Sequence, residues 1–149
     1  MRVLAHDRSP ERPEKQRAAR ALGVRFVGLE ELFSEAEMIA VQVPLNDQTR
    51  SLVGAALLDR MPPGAFLVNV ARGQIVDEQA LYDALKHERL GGAALDVFAA
   101  EPPGEHPLLK LENFLATPHV GAQTVEAQRH IGEAVVRAID EFNFAGNAS

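Results

Sequence analysis

The chain contains no cysteine, no tryptophan and a single tyrosine among its 149 residues. Without cysteine there is no disulfide framework, no thiolate metal site and no cysteine nucleophile, which fits a reducing cytosol. Positive charge is also short: 15 Lys and Arg stand against 21 Asp and Glu, for a formal net charge of -6. Nucleic acid or an anionic membrane surface would need clustered Lys and Arg to neutralise phosphate, and the basic residues here are scattered. Long apolar runs are missing too. Nothing approaches the roughly 18 to 20 apolar residues that span a bilayer, and the start from Met1 to Asp7 has no apolar leader core. These absences read as a soluble, cytoplasmic, non-exported protein with no metal site, no nucleic-acid partner and no membrane partner. Internal repeats and low-complexity segments are lacking as well.

What is present is an ordinary 46% of hydrophobic residues, enough for one core in one domain. Short apolar runs alternate with helix-patterned stretches, the signature of βα units building a parallel sheet. The runs are Arg2 to His6, Val24 to Val27, Met38 to Val43, Ala65 to Val70, Gly92 to Leu95 and Phe114 to Ala116. Several are apolar throughout, as strands covered on both faces should be. Between them, Pro13 to Leu22 reads as a helix stopped by Gly23, Leu29 to Glu37 as a short acidic helix, and Gly54 to Arg60 as a third before Pro62-Pro63. Asp77 is a good N-cap for a helix that places Leu81, Ala84 and Leu85 toward the sheet. A last helix from about Thr124 to Phe142 carries Ile131, Val135, Ala138 and Phe142 on one stripe. Glu101 to Pro107 and the tail Asn143 to Ser149 read as irregular. The fold class is α/β, a Rossmann-type parallel sheet with flanking helices.

Parallel α/β sheets bind ligands beyond the carboxyl ends of their strands, so the residues just after each run carry the functional information. They are Asp7, then Pro44-Leu45-Asn46, then Asn69 and Arg72-Gly73, then Asp96, then Thr117-Pro118-His119. One edge thus gathers an Arg, a His and two Asp, with Glu101 in a following loop, and suits a cofactor together with an anionic substrate.

Each residue also has a bland reading. Asp7 can merely cap the following turn. Its functional reading is a carboxylate ending a dinucleotide-fold strand, which accepts ribose hydroxyls, repels a 2′-phosphate and so favours NAD over NADP. The neighbouring Arg8 pulls the other way, since a guanidinium there can receive that phosphate. Arg72 alone is a surface charge; following FLVNV and beside Gly73, which would let the backbone turn tightly, its planar fork suits a 2-oxo carboxylate. An isolated histidine is most often structural, and His6, His87, His106 and His130 read as structural or exposed. His119 lies between Pro118 and Gly121 after a strand, where an imidazole can give and take a proton near neutral pH. Glu101 can be a solvated loop acid, or can pair with His119, stabilise the imidazolium and fix its tautomer.

Four segments, MIAVQVPLNDQTRSLV, FLVNVARGQIVDEQAL, GGAALDVFAAEPP and FLATPHVGAQTVEA, stand in the order found in the D-isomer-specific 2-hydroxyacid dehydrogenases, and the chain resembles that family over nearly its whole length. The resemblance implies an NAD-dependent oxidoreductase, with Arg72 on the substrate carboxylate and oxo group, His119 protonating the carbonyl oxygen and Glu101 orienting His119. It implies a cofactor site made by Asp7, the Val43-Pro44 turn by the adenosine, Asn46, Ala71, Arg72, Asp96 at the nicotinamide carboxamide, His119 and Gly121. It also implies a small 2-hydroxy or 2-oxo acid as substrate and a homodimer as the assembly.

Gln42 and Asn46 stand where many relatives have His and Thr, and both keep hydrogen-bonding capacity. The larger departure lies at the start. Family members carry a substrate lobe, a strand and a G-x-G-x-x-G loop ahead of the second Rossmann strand, and here Met1 falls directly before that strand. The expectation is therefore residues 1–149 as a partial NAD-binding domain, without the first strand, the glycine loop or the substrate lobe. Lacking the helix N-terminus that cradles pyrophosphate, the 149-residue chain on its own should bind NAD weakly and turn over little or nothing. Two other readings stand beside the enzyme. One is a non-catalytic NAD-sensing module, similar to the C-terminal-binding corepressors; the other is an inert structural fragment.

Overall fold

The computed structural model describes residues 1–146 and turns the six apolar runs into six strands, paired in parallel throughout. The order is β1 (Val3–Ala5), α1 (Pro13–Leu22), β2 (Val24–Phe26), α2 (Leu29–Glu35), β3 (Met38–Val41), α3 (Ala55–Leu58), β4 (Phe66–Asn69), α4 (Glu78–Lys86), β5 (Gly92–Leu95), β6 (Phe114–Ala116) and α5 (Val125–Gly146). Short 3₁₀ turns lie at Gly73–Ile75 and Pro107–Lys110. Strands β3, β4, β5 and β6 form one sheet in chain order, and β1 pairs with β2 in a second. Among the described residues, β1 and β3 are each hydrogen-bonded along one edge only.

Local chemistry explains the boundaries. Pro13 opens α1, where its missing N–H costs nothing, and Gly23 closes it at φ 66°, with its N–H on the carbonyls of Ala19 and Arg20. Asp77 caps α4 by accepting the N–H groups of Gln79 and Ala80. Thr124 does the same for α5 through a 3.1 Å bond from the Ala127 N–H. Some expected elements are shorter: β3 stops at Val41 ahead of Pro44, α2 at Glu35, and α3 keeps only Ala55–Leu58 of the Gly54 to Arg60 stretch. The tail expected to be irregular is helical through Gly146, and residues 147–149 lie outside the described part. Part of the Glu101 to Pro107 stretch is ordered too, since the Pro107–Lys110 turn is capped by His106, whose Nδ1 accepts the Leu108 N–H.

The sheet has one finished face. Ile39, Leu67 and Leu95 are buried with Leu58 of α3 and Leu81 and Leu85 of α4, as the spacing of α4 predicts. The alternate residues point the other way, and there Met38 is 66% exposed, Phe66 45% and Leu115 63%. Burial on that side is what the all-apolar runs anticipate; among the described residues nothing covers it. No helix among them is long and apolar enough to cross a membrane.

Candidate active site

Strand register puts Val41, Asn69, Leu95 and Ala116 side by side, so the loops after β3, β4, β5 and β6 leave one edge from neighbouring strands about 4.8 Å apart. Asn69 is fully buried and shapes the loop after β4. Its Nδ2 donates to the Arg72 carbonyl at 2.9 Å and its Oδ1 accepts the Ala71 N–H at 3.0 Å. The turn so folded presents Arg72 to solvent, its Nη1 resting on the Ala71 carbonyl at 2.6 Å.

Gly73 is there for a reason other than the tight turn expected of it. It is absent from the positive-φ positions, but a Cβ on it would lie 1.9 Å from the Phe98 carbonyl carbon and 2.4 Å from the Ala99 nitrogen. Only glycine lets the Arg72 turn lie against the backbone of the loop that carries Glu101.

The loops after β5 and β6 are tied by Asp96, which is 7% exposed. Its Oδ1 accepts from the Thr117 hydroxyl and, at 2.9 Å, from the Val120 N–H; its Oδ2 accepts the Gly121 N–H at 2.9 Å. Burial pushes this carboxyl upward more than any other single influence, yet the Thr117, Val120 and Gly121 bonds together hold it below the usual carboxylate range. A Cβ on Gly121 would meet Oδ2 at 3.1 Å, so the small residue allows this closure.

His119, between two of these tethered positions, is held at φ 54°, a left-handed conformation that costs energy for a residue with a Cβ. Its Nδ1 meets Glu101 Oε2 at 2.8 Å, and Glu101 Oε1 accepts the Phe98 N–H at 3.0 Å. The His119 bond, followed by that from Phe98, holds the Glu101 carboxyl below its ordinary value. With Nδ1–H given to the acid, Nε2 is the nitrogen left for an incoming group. The side chains are 46% and 37% exposed, so the pair is reachable from solvent.

At β1, Asp7 accepts the Ser9 N–H at 2.8 Å and the Lys15 ammonium, and these two bonds, Lys15 first, lower its pKa. The turn-capping role is thus present, while 35% of the side chain stays exposed. Arg8 is turned onto the Gln48 side chain. Val43 packs against the core, and Pro44 and Asn46 are exposed beyond it. Asn46 Oδ1 accepts the N–H groups of Gln48 and Thr49, so this side chain builds its own turn.

The structure therefore joins Glu101 to His119, ties Thr117, Val120 and Gly121 around His119 to Asp96, and places the Arg72-Gly73 turn against Phe98 of the Glu101 loop. Val43, Pro44 and Asn46 follow β3 in the same sheet, and Asp7 follows β1 in the other. Sequence reading missed Thr49, only 8% exposed, which closes the Pro44 turn with a 2.6 Å bond to the Pro44 carbonyl. It gave no role to Asn69, although an Asn ending an apolar strand is a signal, since it can bond backbone two residues on. As a cradle for a dinucleotide, the residues fit the two ends: a part-exposed carboxylate at Asp7, one oxygen of which Lys15 and Ser9 already hold, and a polar rim at Arg72, Asp96 and His119. For the pyrophosphate between them, the described residues offer no glycine-rich helix start between β1 and β3.

Residues 1–121 match the family of the D-isomer specific 2-hydroxyacid dehydrogenase, NAD binding domain. A hydroxypyruvate reductase of Thermotoga maritima is 40% identical over 142 residues, which cover 93% of this chain and 44% of that protein. A D-3-phosphoglycerate dehydrogenase of Archaeoglobus fulgidus is 42% identical over 142 residues, 93% of this chain and 26% of the relative. The holo D-mandelate dehydrogenase of Rhodotorula graminis superposes with a TM-score of 0.83 at 32% identity, over 95% of this chain and 41% of that one. The chain thus spans less than half the length of these relatives. On its matched segments and its shared fold, the chain belongs to the D-isomer-specific 2-hydroxyacid dehydrogenases, within their NAD-binding domain.

Proposed function

We propose that this chain forms the dinucleotide side of an oxidoreductase that interconverts small D-2-hydroxy acids and their 2-oxo acids with NAD(H). The observation that carries the reading is the bond between Glu101 and the His119 Nδ1, which leaves Nε2 free at the carboxyl edge of the sheet. When bound, the cofactor supplies the hydride that reduces the C2 carbonyl. Arg72 takes the substrate carboxylate in its planar fork, and Nε2 of His119 gives a proton to the carbonyl oxygen. Glu101 keeps the ring in one tautomer and offsets the imidazolium charge. In the direction of oxidation, Nε2 takes the hydroxyl proton instead.

Asp7 would hold the ribose hydroxyls, Val43, Pro44 and Asn46 would flank the adenosine, and Ala71, Arg72, Asp96, His119 and Gly121 would line the nicotinamide end. The turning of Arg8 onto Gln48 favours NAD over NADP, because that guanidinium is already engaged. Hydroxypyruvate, glyoxylate and 3-phosphohydroxypyruvate are the substrates to try, following the names of the relatives, and a homodimer is the assembly to expect. On its own the 149-residue polypeptide should show weak NAD affinity and little turnover.

A chimera joining this chain to the substrate lobe and glycine-loop strand of a relative supplies the test. Reduction of these acids by NADH should fall about 10²- to 10⁴-fold in His119→Ala, the usual contribution of a general acid. Arg72→Ala should raise KM as well as lower kcat. A chimera that binds NADH yet loses nothing on His119→Ala would overturn the reading and point to a binding module.

A further inference from the structure

We propose that Glu78 is a positioning residue that, together with His106, sets Glu101 against His119; the role of Glu101 itself rests on the function proposed above. Glu78 opens α4, directly after the loop that carries Arg72. Its two carboxylate oxygens hold two points of the loop leaving β5. Oε1 accepts the Ala99 N–H at 2.7 Å, and Oε2 meets His106 Nε2 at 3.2 Å. Glu101 lies between those two points. Because His106 Nδ1 accepts the Leu108 N–H, the proton of the neutral ring sits on Nε2, where it donates to Glu78.

The clasp differs from the other ion pairs among the described residues. Its side chains are 23% and 16% exposed, less than in any of the rest. Less water screens it, so it holds geometry better than a surface pair. The His106 ring also packs edge-on against Phe98, with centroids 5.6 Å apart. Consecutive backbone donors at Phe98 and Ala99 are thus taken by two carboxylates from different elements: Phe98 by Glu101, Ala99 by Glu78. That same peptide lies against Gly73, beside Arg72. By fixing it, Glu78 steadies the adjoining Phe98 N–H on which one oxygen of Glu101 rests, and so where the other oxygen stands for His119.

The test needs no turnover. In the 149-residue chain, ¹³C-labelled glutamate reports the Glu101 titration, and ¹⁵N-labelled histidine reports the His119 tautomer. Glu78→Ala should move the Glu101 midpoint up toward the ordinary glutamate value, mix the His119 tautomers, and speed exchange of the Ala99 amide about tenfold. His106→Phe keeps a ring against Phe98 but removes the donor to Glu78, and should move all three readouts the same way. Gln79→Ala removes the neighbouring exposed side chain, which bonds only Asp83, and should leave Glu101 and His119 unchanged. If Glu78→Ala does not fold, His106→Phe decides alone. Unaltered Glu101 and His119 signals in a folded Glu78→Ala, or in His106→Phe, would overturn the proposal, as would equal changes in Gln79→Ala. Because these signals are read without substrate, a chimera that fails to turn over would sink the proposed function and leave this result standing.

Discussion

At the scale of single residues, Asp96 and Gly73 do the most to define the site, and neither needs to touch a substrate to matter. Asp96 gathers three donors from the loop that carries His119. Asp96→Ala would take a charged acceptor from the Thr117, Val120 and Gly121 donors, and should lower stability by roughly 2–3 kcal/mol in chemical denaturation. Asp96→Asn, which keeps an acceptor, should cost less. Gly73→Ala puts a methyl inside the Phe98 backbone, so that loop must move; a loss of about 1–3 kcal/mol is expected, with Glu101 and His119 signals displaced together. Glu101 gives a pH prediction with a definite sign. Its native pKa lies below its ordinary 4.5, so its pairing with His119 contributes fully above that value and is lost as pH falls through the lowered one. Denaturation midpoints of the wild-type chain and Glu101→Gln should therefore converge as the solution is made more acid than about pH 5. A gap that persists unchanged at pH 3 would contradict this.

Elements show which features of the fold could be read from the sequence. Strands β5 and β6 and helix α1 have the boundaries their patterns predict, because apolar runs and terminal Pro and Gly are local signals. Asp77 and Gly23 act as the cap and the stop that their residue types suggest. The 3₁₀ turns at Gly73 and Pro107 were not legible, since each depends on contacts distant in sequence: Phe98 against Gly73, and Glu78 against His106. The pairing of Glu101 with His119 was legible as chemistry, whereas the support from Glu78 was not, for a glutamate in the first turn of a helix is already explained by the helix dipole. Helix α5 follows its pattern but not the consequence usually drawn from such a stripe. Ile131 is 49% exposed, Val135 52% and Phe142 79%, so its apolar side faces solvent among the described residues. Val135→Glu should accordingly change the melting of the chain by no more than about 0.5 kcal/mol, whereas the same change at a packed core position such as Leu81 should unfold it. A large destabilisation by Val135→Glu would show that α5 packs on the sheet in solution.

Across the whole molecule, the described residues give the sheet one covered and one open face, and give the candidate site a polar rim without a glycine-rich phosphate cradle. Among the described residues, Met38, Phe66 and Leu115 are open on one side of the sheet, and β1 and β3, like β2 and β6, pair along one edge only. The rim proposed for the nicotinamide end leaves β4, β5 and β6 and is braced by the buried side chains of Asn69 and Asp96. The phosphate-binding middle of a dinucleotide would need backbone N–H groups beside β1 and β3, where the described residues place none in a glycine-rich helix start. This division predicts what NADH does to the 149-residue chain. A ligand at 100 times its dissociation constant adds roughly 2.7 kcal/mol to native stability, worth several degrees in a domain of this size. At about 1 mM NADH the chain should show no such rise in Tm, because any contact made by Asp7 or the Arg72 rim alone would be too weak to approach that saturation. The chimera carrying a glycine-loop strand should show it, and its Asp7→Ala variant should show less. A clear rise in the chain by itself would mean that the rim holds the dinucleotide without a phosphate cradle, and that strand edges left open in the structure matter little to binding.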